Sequence, residues 1–351
     1  MNEKKYYNLY LTLKNKILSG EYSVGERLPS KRVTADRFGC SVITVQAAYG
    51  MLLDEGYVCS RERSGYYVAL RDNLHRLPDV SSSERIIHVC DGQTDESSDF
   101  ECSVWFKTVR QVMSEHGERL FRRSPSKGCD VLRNAIAEYL LRYRGMLAQP
   151  ERIIIGSGAE QLYETAVRVL GRDKIYGIED PSYSQIREVY DGMGVDVRML
   201  GMGKDGIESE CLENECIDVL HVTPFNSYPS GVTTSASKRR EYLRWAYRGQ
   251  GYIVEDDFDS EFFIPGQPIE SLYSLDVHER VIYINTFSKS LSPSMRLGYM
   301  ILPKVLLEEY DRKMSRFSCT VPVMDQYVLA EFISNGSFER HLNRERRRMK
   351  R

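Results

Sequence analysis

Residues 285–300, "NTFSKSLSPSMRLGYM", set a single lysine, Lys289, among small hydroxyl residues, with Arg296 seven positions on and then Gly298 and Tyr299. The stretch follows directly on "VIYINTF" (281–287), a short apolar, β-branched run that reads as a buried strand. A lysine near the end of a buried strand loses its proton more easily than a solvated one, and the neutral amine attacks carbonyls. A surface lysine in a loop is the ordinary reading of any one Lys, so the surrounding residues have to decide.

Working outward, five further runs read as strands: "IIIG" (153–156), "KIYGIE" (174–179), "DVRML" (196–200), "CIDVLHVT" (216–223) and "GYIVEDD" (251–257). "AEQLYETAVRVLG" and "SASKRREYLRWAYR" read as helices between them. Such alternation predicts a mostly parallel sheet with helices on both faces. Ligands bind such sheets beyond the carboxyl ends of the strands. Ser157, Gly158 and Ala159 open a helix there, so their free N–H groups can receive a phosphate. Thr286, Ser288 and Arg296 add hydroxyls and a fixed cation to that phosphate. Asp256 ends an apolar strand and can pair with a protonated ring nitrogen, which makes a pyridine a better electron sink. Tyr183, in "EDPSYSQ", can stack on the ring. Together these are the parts of a pyridoxal phosphate site.

The first seventy residues speak of different chemistry. "YNLYLTLKNKILS" (7–19) puts Leu9, Tyr10, Leu13 and Ile17 at helical spacing, with Gly20 as a stop. A second helix follows Ser30, with Val33 and Phe38 expected to turn inward. A third follows Ser41, with Val45, Ala48 and Leu52 on one face, and Gly56 ends it. "YVCSRERSGYYVAL" alternates around Ser64-Gly65 as a β-hairpin. Two helices on a tight turn, then a hairpin, describe a winged helix-turn-helix whose third helix enters the major groove. Residues 1–71 hold 11 Lys/Arg against 7 Asp/Glu, a local balance of +4, while the whole chain carries −2. A basic module on a mildly acidic body suits phosphate contact.

Composition sets the outer bounds. The 351 residues are long enough for two or three domains, and 42% hydrophobic with 28% charged is ordinary for a globular protein. No apolar run reaches membrane-spanning length and no signal-peptide core opens the chain, so the expected location is cytoplasmic and no membrane partner is expected. The eight cysteines are scattered without a CxxC pair, which argues against a zinc site or a disulfide framework. The expected organisation is a DNA-binding domain over 1–71, a polar linker over 72–98, and an α/β domain over 99–351.

"ILSGEYSVGERLPSKR", "SVITVQAAYGMLLDEGY" and "SGYYV" resemble the DNA-binding domain of GntR-type transcription regulators. With "EDPSY" (179–183), "TPFNSYPSG" (223–231), "EDDFDSEF" (255–262) and "SKSLSPSMRLGY" (288–299), the chain resembles the MocR subfamily, in which that domain is fused to a fold-type I aminotransferase-like domain. The resemblance implies that Arg32, Ser41, Thr44, Arg63 and Gly65 lie at operator DNA. It implies that Lys289 holds pyridoxal phosphate covalently, that Asp256 meets the ring nitrogen and that Arg296 holds phosphate. It also implies a head-to-tail homodimer and an amino compound as effector. Val42 stands where the family commonly has Arg, and Phe258 stands where it usually has Tyr against the cofactor's ring oxygen. Arg123 takes the place of a Tyr, Asn226-Ser227 that of His-Gln, and Tyr228 that of the Asn of true aminotransferases. The basic segment "FERHLNRERRRMKR" leads, in that family, into a small domain, so the α/β domain is expected to be truncated at its C-terminus. Three functions fit: a regulator that senses the cofactor or an amino compound, an aminotransferase with a DNA-binding appendage, or a repressor whose large domain only dimerises.

Overall fold

The computed structural model describes residues 3–61, 64–69, 102–257, 260–262 and 270–349. The chain divides into two units, Met1–Gly92 and Gln93–Arg351. The 72–98 linker expectation lies outside the described residues.

In the first unit α1 (Glu3–Leu18), α2 (Lys31–Phe38) and α3 (Val42–Asp54) precede the antiparallel hairpin β1 (Val58–Arg61) and β2 (Gly65–Val68). Each start signal in the sequence works as expected. Ser30 Oγ accepts from Val33 N at 3.3 Å and Ser41 Oγ accepts from Thr44 N at 3.2 Å, satisfying N–H groups that a helix start leaves open. Gly39 closes α2 at φ 59°, a left-handed conformation that favours glycine. Leu9, Tyr10, Leu13, Val45, Ala48 and Leu52 form the core with Val58 and Val68 of the hairpin. Val33 turns outward instead, 55% exposed, because the face of α2 set by its cap buries Thr34 and Ala35.

The second unit begins with α4 (Cys102–His116) and α5 (Asp130–Tyr139) and then alternates: β3 (Ile153–Gly156), α6 (Ala159–Leu170), β4 (Ile175–Asp180), α7 (Ser184–Met193), β5 (Asp196–Gly201), α8 (Ser209–Asn214), β6 (Val219–Val222), α9 (Ala236–Gly249), β7 (Tyr252–Asp256), α10 (Leu272–Leu275) and β8 (Val281–Thr286). After β8 come β9 (Gly298–Ile301), α11 (Lys304–Met314), α12 (Val323–Ser334) and α13 (Ser337–Met349). The seven strands lie in the order β3-β9-β8-β7-β6-β4-β5. Only the β9 pairings are antiparallel. The mostly parallel sheet read from the alternation is therefore present. β9 was not foreseen, since "GYMI" is too short to carry a period.

Packing on both faces explains why β8 opens on four large apolar or aromatic residues, Val281–Ile284, before Asn285 and Thr286. Ile282 and Ile284 pack with α6, α7 and α11 residues on one face. Val281 packs with α9 and α10 residues, and Tyr283 with α5 and α12 residues, on the other. Both faces are covered, so all six residues of the strand are buried.

Candidate functional site

Parallel strands bring their carboxyl ends to one edge, and most of the residues singled out from the sequence collect there. β3 delivers Ser157 and Gly158 to the start of α6, β4 delivers Tyr183 to the start of α7, β7 ends on Asp256, and β8 ends on Thr286 ahead of Ser288 and Lys289. β9 runs the other way, so Arg296, two residues before its start, reaches the same edge.

"YIVEDD" sorts its three carboxylates by direction. Glu255 accepts the backbone N–H groups of Leu272 and Tyr273, each at 2.8 Å, and so fixes α10. Asp257 accepts from the Arg144 guanidinium at 2.8 Å and from the Tyr283 hydroxyl at 2.7 Å. Asp256, between them, points to the other face, where the Tyr163 hydroxyl donates to one of its oxygens. The other oxygen, Oδ1, is buried without a hydrogen-bond partner. Burial, then the neighbouring Asp256 charge, holds the Tyr163 phenol well above its ordinary range, so it stays a donor. His221 stands behind: its Nδ1 is 2.7 Å from the Tyr190 hydroxyl, and its Nε2 lies 4.0 Å from Asp256. A buried carboxylate oxygen with no partner is costly unless a donor arrives. A protonated pyridine nitrogen is such a donor.

The phosphate end is also built. Gly158 has φ 99°, and a Cβ placed on it would stand 2.7 Å from the Arg296 guanidinium. Only glycine lets that cation lie so close over the N-terminus of α6. Arg296 is paired with Glu160 in the first turn of α6. Ser157 N donates to Gln161 Oε1 at 3.3 Å, and its hydroxyl accepts from Thr320 at 3.0 Å. Thr286 is buried and Ser288 half-buried. The orphaned Asp256 oxygen and this cradle have the chemistry that the ring nitrogen and the phosphate of pyridoxal phosphate call for.

Lys289 lies three residues past β8 and is exposed in the single chain, its ammonium 6.0 Å from the centre of the Phe262 ring. The burial expected for it from the strand does not hold, because the turn closed by Leu291 N on the Phe287 carbonyl buries Phe287, Ser290 and Leu291 and leaves the Lys289 side chain on its outer side. Tyr183 is 42% exposed and meets Tyr228 edge to face at 6.1 Å. Arg123 is bound to Ser318 at 2.6 Å and to the Arg316 carbonyl at 2.8 Å. Phe258 lies outside the described residues.

Sequence reasoning missed Glu179, Tyr163, Tyr190 and His221. Glu179 is buried at the end of β4 and accepts from Thr223 N at 3.2 Å and Ser227 Oγ at 2.6 Å, which ties the "TPFNSYPSG" loop to the "EDPSY" turn. Burial lifts its carboxyl to about 7, against the pull of those two hydrogen bonds. A histidine inside the apolar run "VLHV" was the visible signal for a buried polar group, but nothing local gave its partners.

In the first unit Arg32 is exposed on α2, and Ser41 and Thr44 share a 2.9 Å hydrogen bond at the start of α3. Gly65 opens β2 at φ 120°, where a Cβ would stand 3.3 Å from Arg27 Nε. The Lys31 ammonium lies 3.4 Å from Gln46 Oε1 and 5.6 Å from the centre of the Tyr66 ring, so the start of α2, the outer face of α3 and the hairpin adjoin. Arg63 lies outside the described residues.

Residues 5–68 match the family described as bacterial regulatory proteins, gntR family, and residues 84–351 match aminotransferase class I and II. A probable rhizopine catabolism regulatory protein, MocR, of Rhizobium meliloti is 31% identical over 97% of this chain and 73% of its own length. This chain belongs to the MocR subfamily of GntR-type transcription regulators. An uncharacterized HTH-type transcriptional regulator of Bacillus subtilis, YdeL, is 36% identical over 97% of the chain and 76% of its own length. Among solved structures, Pyrococcus horikoshii kynurenine aminotransferase in complex with PMP aligns with TM-score 0.64 and 26% identity, over 71% of this chain and 64% of that one. LysN, an α-aminoadipate aminotransferase from Thermus thermophilus complexed with N-(5'-phosphopyridoxyl)-L-leucine, gives 0.63 and 26% over the same shares. The chain thus spans less than two thirds of the length of these aminotransferases. Among the described residues no helix is long and apolar enough to cross a membrane.

Proposed function

We propose that the protein regulates transcription by binding operator DNA through its first unit, with pyridoxal phosphate held on Lys289 in its second. The single observation that carries the cofactor reading is the buried, unpartnered Oδ1 of Asp256 on the same strand edge as Lys289, Arg296 and the start of α6. Asp256 would hold the ring nitrogen protonated, oriented by the Tyr163 hydroxyl. Arg296, Ser157, Gly158, Ala159, Thr286 and Ser288 would hold the phosphate, and Tyr183 would cover the ring. The cofactor, when bound, supplies an aldehyde that an amine can capture. Lys289 supplies the amine that anchors it, and an incoming amino compound competes with that amine. In this reading two chains associate head to tail, the arrangement carried over from the family.

Occupancy changes DNA binding only if the cofactor or amino compound binds two arrangements of the protein with different affinity. In Lys289→Ala, with the fold intact by circular dichroism, the response of DNA affinity to pyridoxal phosphate and added amino acids should be lost. DNA binding itself should remain. An unchanged response in that variant would defeat the sensing role.

A further inference from the structure

We propose that α3 reads thymine: Val42 and Ile43 pack on C5-methyl groups in the major groove, and Gln46 addresses the paired adenine. This rests on the DNA-binding reading above. Along α3, Val45, Ala48, Tyr49 and Leu52 are fully buried and complete the core of the first unit. The opposite face carries Val42, 42% exposed, Ile43, 81% exposed, and, one turn on, the exposed Gln46 and Ala47.

Two β-branched side chains side by side on the first turn are poor choices for helix stability and contribute little to this core. Their surroundings indicate what covers them. Neither α2 nor α3 has an acidic residue in its first turn. Lys31 and Arg32 open α2, and Lys31 adjoins Gln46. An apolar face with a cation beside it complements a groove with methyl groups on its floor and phosphates on its rims. Aliphatic side chains cannot pair with the O6 and N7 acceptors of guanine, whereas the thymine methyl is the one apolar group the major groove presents. Gln has the donor and acceptor pair that matches the adenine edge. The face therefore selects A·T pairs, with methyl contact carrying the discrimination.

The test begins by selecting duplexes from a random library with the full chain. Fluorescence anisotropy then compares the selected duplex with the same duplex in which deoxyuridine replaces thymine, so that only methyl groups are lost. The native chain should bind the uracil duplex about fourfold more weakly for each methyl it buries. Ile43→Ala should bind the thymine duplex more weakly and discriminate less between the two, and Val42→Arg should enrich guanine on reselection. Equal binding of the two duplexes by the native chain overturns the proposal while leaving DNA binding standing, and this arm does not depend on any variant folding. Failure to enrich any duplex overturns it together with the DNA-binding reading, so the two failures are distinguishable.

Discussion

Ile43 and Asp256 both look unfinished in the isolated chain, but in opposite senses. Ile43 is an apolar side chain left 81% exposed on a helix whose inner face is fully packed. Asp256 is a charged side chain only 4% exposed, with one oxygen satisfied and the other bare. An exposed aliphatic face costs a folded unit little, and it can take a large partner that brings apolar groups to it. A buried unpaired oxygen is costly, and a donor that reaches it relieves that cost. The first unit is thus complete as a fold before it meets DNA, whereas the strand edge of the second leaves a buried polar atom unsatisfied.

The largest effect that could break this contrast concerns pH. Glu179 stands at the strand edge with its carboxyl lifted to about 7 by burial. Unfolded, it titrates near the ordinary glutamate value, so between those values the folded chain holds the extra proton. The stability from this group is fully present at acid pH and is lost as pH rises through about 7. Raising the pH from about 5 to about 8 should remove up to about 3 kcal/mol through this one carboxyl. Urea unfolding followed by tryptophan fluorescence reads the second unit alone, because Trp105 and Trp245 both lie in it. Glu179→Gln should flatten the slope in part, since burial also lifts Glu255 and Glu261 to about 7. An unaltered slope would remove Glu179 from the account.

Next in size is Gly158→Val. The new side chain displaces the Arg296 guanidinium and strains a backbone at φ 99°. Affinity for pyridoxal phosphate should fall by about 10- to 100-fold, the worth of one charge-assisted hydrogen bond. Equilibrium dialysis measures it, and unchanged affinity would show that the phosphate lies elsewhere. The smallest effects belong to the first unit. Ser41→Ala should cost α3 about 1 kcal/mol through the lost cap, read by amide hydrogen exchange. Ile43→Ala should change stability by less than about 0.5 kcal/mol. A larger loss at Ile43 would mean that it packs within the unit and is not held out for DNA.

The legibility of the two regions differs for the same physical reason. The first unit is built from near neighbours: Ser30 with Val33 and Ser41 with Thr44 lie within one turn, so cap and stop residues announced its helices. Val33 went astray because the cap at Ser30 fixes where α2 starts but not which of its faces packs, and Thr34 and Ala35 are the residues turned inward. In the second unit the strands other than β9, and the placement of Lys289, Asp256 and Gly158 near strand ends, were legible, since strand ends and glycine turns leave local marks. The Glu179–Ser227 and Tyr163–Asp256 pairs join residues 48 and 93 positions apart, and only the folded sheet brings them together. The exposure of Lys289 was equally hidden, because it depends on where the chain turns after β8.

The central claim is that the second unit holds pyridoxal phosphate through Lys289. The most direct measurement is the visible absorbance spectrum of the purified full chain after incubation with pyridoxal phosphate and gel filtration, beside Lys289→Ala. The account predicts a band displaced from that of free pyridoxal phosphate, retained with the native chain and missing from the variant. A native chain that elutes without any retained band, or a variant that keeps the same displaced band, would contradict it.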